Sequence, residues 1–168
     1  MKWVTRERPK IDRVACPCLI ARFIDAQAEF LFVSPAEVAR VARESGAVPY
    51  DVEGVELSHV GPLCSFDAFL TKYQLHDPSL AALAAIVRGA DTDRLDTAPQ
   101  CAGLLAISLG LSRLFEDDHE QLRQGFVLYD ALYAWLKDAR YERHSWNPQR
   151  MALLPGADAN NVGTRPAP

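Results

Sequence analysis

The sequence lacks most of the features by which protein function is commonly recognised. The sequence of 168 residues contains no apolar stretch whose length approaches the roughly 18 residues that a membrane span needs, and no secretory signal is visible. The G-x-G-x-x-G, Walker, G-x-S-x-G and H-E-x-x-H motifs are also missing. These absences argue against a membrane protein and against the common nucleotide-binding, hydrolase and metalloprotease classes. We therefore expect a cytoplasmic protein with no membrane partner.

Cysteine is scarce as well. The chain has four cysteines, Cys16, Cys18, Cys64 and Cys101. Thiols stay reduced in the cytoplasm, so these residues are expected to be free, packed in the core or bound to a metal rather than joined in disulfides.

The charge balance is slightly acidic, with a net charge of -4 and a pI of about 5.5. A net negative surface argues against general nucleic-acid binding. Basic residues nevertheless crowd the N-terminus at Lys2, Arg6, Arg8, Lys10 and Arg13. They are interpreted either as a solvated edge strand and loop or as a site that attracts a small anion.

Length and composition indicate one α+β domain over residues 1–147, followed by a flexible tail at 148–168 that is rich in Pro, Gly, Asn and Ala. The pattern predicts a small N-terminal β-sheet with helices, packed on a mainly α-helical C-terminal half. Strands are expected at 2–5, 29–33 and 48–52, with 55–60 either a fourth strand or a loop, and helices within 11–23 and from 36 to Gly46.

Helices dominate the second half of the predicted fold. Ser65 is a good N-cap for the first, and Asp77-Pro78 opens the next. A nearly continuous apolar helix, CAGLLAISLGLSRLF, follows Thr97 or Pro99 and is expected to be buried on most sides. Asp117 or Asp118 caps the last long helix.

The stretch VACPCLI permits two helix registers. The helix begins either with Asp12 as the N-cap and Pro17 in the second turn, or with Cys16 as the N-cap and Pro17 as the first helical residue. The residue before a proline avoids the α region, which favours the second register. Backbone N–H groups would then lower the pKa of the Cys16 thiol and attract an oxyanion, while Cys18 would mainly pack in the core.

Two segments and one helix start carry candidate metal ligands. The segment VELSHVGPLCSFD holds Glu56, His59, Cys64 and Asp67, and the segment GADTDRLD holds Asp91, Asp93, Arg94 and Asp96. Asp118 and His119 open the last long helix. For each group the alternative is an ordinary capping or loop role. His76 and His144 are interpreted as surface loop residues.

Several long segments resemble the C-terminal domain of the chromate-resistance protein B (ChrB) family. They are RPKIDRVACPCLIARFID, EFLFV, GVELSH-x-G-x-x-CSFD, IVRGADTDRLD-x-APQ-x-AGLLAISLGLSR, DDHE and YDALYAW, and together they cover roughly residues 1–137. The resemblance implies a role in chromate resistance and the chromate stress response, commonly described as regulation of a resistance operon.

Two departures from the family pattern bear on this expectation. The family's usual segment reads CPW, whereas Cys18 occupies the third position here. Full-length members also carry an N-terminal domain associated with transcriptional regulation, which this sequence does not contain. Direct DNA binding is therefore not expected of these residues, in agreement with their acidic charge.

Three functional hypotheses follow. A sensing module would bind chromate or a similar oxyanion through Arg13, Arg94 and Cys16. A metalloprotein, with or without enzymatic activity, would bind zinc, iron or manganese through His59, Asp67, Asp91 and His119. A thiol-assisted chromate reductase would use Cys16 and Cys18, with Cys64 as a further redox candidate. The first two are compatible, because a metal could hold the oxyanion, and a homodimer is compatible with each of them.

Overall fold

The computed structural model describes residues 1–143. Along these residues lie β1 (Lys2–Arg6), α1 (Asp12–Leu19), β2 (Glu29–Val33), α2 (Val38–Ser45), β3 (Val48–Pro49), α3 (Ser65–Lys72), α4 (Pro78–Asp91), α5 (Cys101–Leu114) and α6 (Asp118–Ala134). α1 continues as a π-helical turn over Ile20–Ile24, and α6 over Trp135–Ala139. The predicted tail and His144 lie outside the described residues.

The three strands form a parallel sheet in the order β2-β1-β3. Its central strand β1 is buried on both faces, as two adjacent residues show: Trp3 and Val4 are both fully inaccessible to solvent. Trp3 belongs to the main core with the C-terminal helices, whereas Val4 packs in a smaller cluster with Val38 of α2 and Ala47. Since neighbouring strand residues point to opposite faces, β1 joins the two layers. The predicted α+β class and arrangement are confirmed.

The sheet ends sooner than the sequence predicts. β3 stops at Pro49 rather than at residue 52, and residues 50–64 form a loop rather than a fourth strand. Pro49 has no N–H group to donate, and Asp51 adopts a positive φ of 51° that turns the chain away from the sheet. This loop carries His59 towards α1 and α4.

The first helix begins at Asp12, so the favoured register with Cys16 as N-cap is wrong. Pro17 lies inside α1 and is buried there. Its missing N–H removes one helical hydrogen bond, and burial of the apolar residues around it offsets this loss. Asp12 therefore lies in the first turn, and Cys16 lies one turn later on the same face.

α1 and α6 approach each other closely at a glycine. A Cβ atom built on Gly125 of α6 would stand 2.1 Å from Val14 Cγ1 of α1, which is far inside van der Waals contact. The buried Tyr129 hydroxyl donates a 2.8 Å hydrogen bond to the Ile11 carbonyl oxygen just before α1. These two contacts fix the start of α1, and with it the position of Asp12.

The apolar helix α5 is not buried on most sides, contrary to expectation. Its buried face consists of Cys101, Leu104, Ser108 and Ser112, spaced at helical intervals. Ile107 and Leu114, on another face, are 49% and 75% exposed. The prediction failed because the near-continuous apolar run carries no periodic signal that separates the two faces. No described helix has the length and apolar character needed to cross a membrane.

Candidate metal site

Asp12 is the innermost member of a cluster of ionisable side chains between the two halves of the fold. Its side chain is only 3% exposed. The Ser65 backbone N–H, in the first turn of α3, donates a 3.3 Å hydrogen bond to Asp12 Oδ2. The carboxylate thus lies at the N-terminal end of α3 as well as in the first turn of α1. Both helix dipoles favour a negative charge at this point.

His59 brings an imidazole from the loop over residues 50–64 to this carboxylate. Its Nε2 atom lies 3.3 Å from Asp12 Oδ2, 3.1 Å from Asp91 Oδ2 and 3.5 Å from Asp51 Oδ1. The hydrogen bond to Asp12, with the charges of all three carboxylates, raises the pKa of His59 to about 9. The imidazole is 40% exposed and is the member of the cluster that solvent reaches most easily.

Asp91 is the last residue of α4, where the helix dipole disfavours a negative charge. Its side chain is 14% exposed. Burial, together with the charges of Asp12 and Asp51, raises the pKa of Asp91 to about 7, although His59 opposes this shift. A carboxyl group with such a pKa is disfavoured in its ionised form, and a bound cation would stabilise that form.

Asp51 completes the cluster but faces the N-terminal basic residues. Its Oδ2 lies 2.8 Å from Arg6 Nη2 and 3.2 Å from Arg13 Nε, and its Oδ1 accepts a 2.9 Å hydrogen bond from Ser65 Oγ. Burial and the charge of Asp12 nevertheless raise the pKa of Asp51. Since its oxygens already have three partners, we interpret Asp51 as a residue that positions the cluster rather than as a ligand.

Three residues of this cluster meet the geometric requirement for a shared cation. Asp12, His59 and Asp91 each offer one ligand atom, and these atoms lie within 4.8 Å of one another. One imidazole nitrogen and two carboxylate oxygens suit zinc, iron or manganese. The buried Tyr50 hydroxyl has no hydrogen-bond partner among the described residues, and burial, followed by the charges of Cys16, Asp51 and Asp12, raises its pKa.

The cluster opens to solvent through a cleft of about 300 Å³. Arg6, Asp51, Gly54, Ser58 and His59 are among its lining residues. Since His59 is both a wall of the cleft and a member of the cluster, a ligand entering the cleft meets the exposed edge of the candidate site. Arg6, with a side chain 39% exposed, places a positive charge in the same cleft.

The structure brings together only part of the predicted metal set. His59 and Asp91 meet as described above. Asp67 instead accepts a 3.1 Å hydrogen bond from the Cys64 backbone N–H and pairs with Arg88 Nη1 at 2.5 Å. His119 lies in the first turn of α6, where its ring packs edge-on against Phe32. Neither belongs to the group of ligand atoms that meets at His59.

The predicted oxyanion set is also dispersed. Arg13 is largely buried, and its guanidinium contacts Asp51 and donates to the carbonyl oxygens of Arg6 and Glu7. Arg94 is 67% exposed, with its Nε 3.7 Å from Asp96 Oδ1. The guanidinium that lines the cleft is that of Arg6, one of the basic N-terminal residues but not a member of the predicted oxyanion set.

The thiols are buried, and the expected lowering of the Cys16 pKa is wrong. Burial, followed by the charges of Asp12 and neighbouring groups, raises the pKa of Cys16 well above its ordinary value, and burial likewise raises that of Cys64. Cys18 packs in the core as predicted, with its Sγ 3.6 Å from Asp130 Oδ1, and its pKa is raised to about 12. Cys16 faces the acidic cluster, so the two thiols have different surroundings.

Sequence reasoning missed Asp12 and Asp51 as members of the site. Asp12 was considered only as a helix cap, although its spacing of four residues from Cys16 places both on one face of α1. Asp51 belongs to a short turn-forming segment, YDVEG, which carries no motif. Only the fold places it beside the other two carboxylates.

Comparison with known proteins identifies the family. The family model described as "ChrB, C-terminal domain" matches residues 3–136. The chain is 33% identical over 141 residues to Protein ChrB of Cupriavidus metallidurans, which covers 83% of this chain and 42% of that protein. The chain thus spans less than half the length of this curated relative. No solved structure matches it. On the strength of the family match and the relative, the chain belongs to the ChrB family, through its C-terminal domain.

Proposed function

We propose that this protein acts in chromate resistance by binding one divalent cation through Asp12, His59 and Asp91. The observation that carries the proposal is the convergence of three ligand atoms, from α1, the loop and α4, within 4.8 Å of one another. Family membership supports the chromate-related role.

The crowding of three carboxylates at one imidazole supports a bound cation. Burial, followed by the charge of Asp12, raises the pKa of Asp51 and of Asp91, although Arg6 opposes the first shift and His59 the second. A divalent ion that replaced the His59 proton would favour the ionised form of both carboxyl groups. Asp12, fixed by the Ser65 N–H, would be an oriented ligand, as outer hydrogen bonds commonly provide in metal sites.

The test is a titration of chelator-treated, untagged protein with Zn²⁺ and with Mn²⁺ by isothermal calorimetry. We expect about one ion per chain, and a loss of at least tenfold in affinity in His59→Ala and in Asp91→Asn, in the range that loss of a ligand or its partners commonly produces. His119→Ala and Asp93→Asn are matched controls outside the cluster. Unchanged affinity in both cluster variants, or no binding by the wild type, would refute the site.

A second candidate function is binding of a chromate-like dianion in the cleft. The observation in its favour is Arg6, which lines the cleft beside His59 and whose buried Nε atom has no hydrogen-bond partner among residues 1–143. Guanidinium groups recognise tetrahedral oxyanions, and a cation at His59 would add a second point of attachment. Arg6 is favoured over the predicted Arg13 because the guanidinium of Arg13 is occupied by protein oxygens.

Sulfate and chromate titrations of metal-free and Mn²⁺-loaded protein test this second function. We expect saturable binding that is stronger in the loaded protein and at least tenfold weaker in Arg6→Ala, because a charge-assisted contact is lost. Arg94→Ala is the control and also tests the predicted role of that residue. Anion binding that Arg6→Ala leaves intact would exclude the cleft. Thiol-assisted reduction has least support, because burial and raised pKa values make Cys16, Cys18 and Cys64 poor nucleophiles.

A further inference from the structure

The exposed side of α5 is unusually apolar for a helix that faces solvent. Among the described residues, Ile107, Leu109 and Leu114 are 49%, 44% and 75% exposed on this helix. Ala102, Gly103, Ala106 and Gly110 are also exposed beside them, and Arg113 is the one charged residue of the helix. Contiguous exposed apolar side chains of this kind mark interaction surfaces.

Two glycines on this side have no role within the described fold. A Cβ atom built on Gly103 or on Gly110 would meet nothing within 4 Å among the described residues. Glycine is a poorer helix former than alanine, so neither position is explained by helix stability or by internal packing. Glycine in an exposed helix face does allow another backbone to approach closely.

We propose that this face of α5 is the contact between two copies of the chain, packed antiparallel about a two-fold axis. The four residues Gly103, Ile107, Gly110 and Leu114 are spaced by four, three and four positions and form one seam along the helix. Antiparallel pairing about the centre of this seam sets Ile107 opposite the partner's Gly110, and Leu114 opposite the partner's Gly103. Each large side chain therefore packs against a glycine of the partner, where no side chain occupies the space.

The residues beside the seam are also exposed and, apart from Arg113, uncharged: they are Ala102, Ala106 and Leu109. The seam itself carries no charge, so two copies bring no like charges together along it, and Arg113 lies at its edge, where a guanidinium can reach water. An isologous contact requires this kind of self-complementarity, whereas an unrelated partner does not.

The size of the face sets the expected strength. A helix of 14 residues is about 21 Å long and about 10 Å wide, so its exposed face covers roughly 200 Å². This area is small beside the ~800 Å² that each partner buries in a standard interface. We therefore expect a dimer that dissociates in the micromolar range rather than an obligate one. This inference is independent of the metal site.

Sedimentation velocity of the full chain from 1 to 500 μM tests the proposal. We expect a monomer–dimer equilibrium whose dissociation constant increases at least tenfold in Ile107→Glu. Gly110→Ala is the more discriminating variant: it should weaken the dimer while leaving the melting temperature of the dilute monomer unchanged or higher, because the added Cβ meets no described residue within 4 Å. Val60→Glu, at a residue that is 63% exposed in the loop, is the control and should dimerise normally.

Two results would overturn the proposal. One is a wild-type chain that stays monomeric up to 500 μM, which would leave the face to a different partner. The other is a dimer that both Ile107→Glu and Gly110→Ala leave unchanged, which would place the contact elsewhere. Circular dichroism and the melting temperature of each variant separate loss of dimerisation from loss of folding.

Discussion

The affinity of the protein for Mn²⁺ should increase about 300-fold between pH 6.5 and 8.5. Metal ligands bind as free bases, so the cation competes with protons for the cluster. The pKa of Asp91 is raised to about 7 and that of His59 to about 9. Between these values a bound cation displaces one proton, from His59, and affinity rises about tenfold per pH unit. Below pH 7 two protons are displaced, and the dependence steepens.

Calorimetry in buffers of different ionisation enthalpy measures both the affinity and the number of protons released. Asp91→Asn should bind more weakly and lose the steeper dependence below pH 7, since one titrating ligand has gone. His119→Ala should reproduce the wild-type profile. An affinity that is constant from pH 6.5 to 8.5 would contradict the assignment of His59 and Asp91 as ligands.

The same pKa shifts give the metal-free protein an opposite dependence on pH. The raised pKa of His59 contributes stability that is present below about 6.5, its unfolded value, and is lost as the pH rises through about 9. The raised pKa of Asp91 acts in the same direction between about 4 and about 7. The melting temperature of the metal-free protein should therefore fall towards alkaline pH, and Mn²⁺ should reverse that fall.

Removing the Asp51 carboxylate should produce the largest loss of folding stability in the site. Asp51 is buried and contacts Arg6, Arg13 and Ser65. Asp51→Ala would leave the largely buried Arg13 without its carboxylate, and would place alanine at a positive φ of 51°. Breaking a buried ion pair from one side costs about 3–5 kcal/mol, and we expect about 3 kcal/mol because Arg6 is partly exposed to water.

Asp51→Asn is the matched variant. Asparagine tolerates the left-handed backbone and can still accept the Ser65 hydrogen bond, and its neutrality also reduces repulsion with Asp12. We expect it to retain more than half of the stability that Asp51→Ala loses. Urea unfolding at pH 7 without metal provides the comparison. A loss below 1 kcal/mol in Asp51→Ala would mean that the arginines find other partners.

The fold was predictable where local rules act alone. Aromatic and β-branched residues located β2, and the Asp77-Pro78 pair located the start of α4 by its N-cap and fixed proline φ. The start of α1 was missed because a proline in the second turn is compatible with a helix when its surroundings are buried. That choice depends on packing against α6, which no local pattern reports.

The candidate site was predictable only in part, for a related reason. His59 and Asp91 were selected because their residue types are common ligands in turn-rich or helix-end positions. Asp67 and His119 satisfied the same criteria, yet Asp67 pairs with Arg88 and His119 packs on Phe32. Residue type and spacing therefore identified candidates, whereas the pairing of each with a distant partner decided which of them converge.

The three ligand positions are spread along the chain, at residues 12, 59 and 91, on a helix start, a loop and a helix end. A growing polypeptide can bring all three together only after α4 has been synthesised, because Asp91 is the last residue of that helix. A chain in which α4 has not docked would therefore lack one of the three ligands and should bind the cation more weakly than the folded protein.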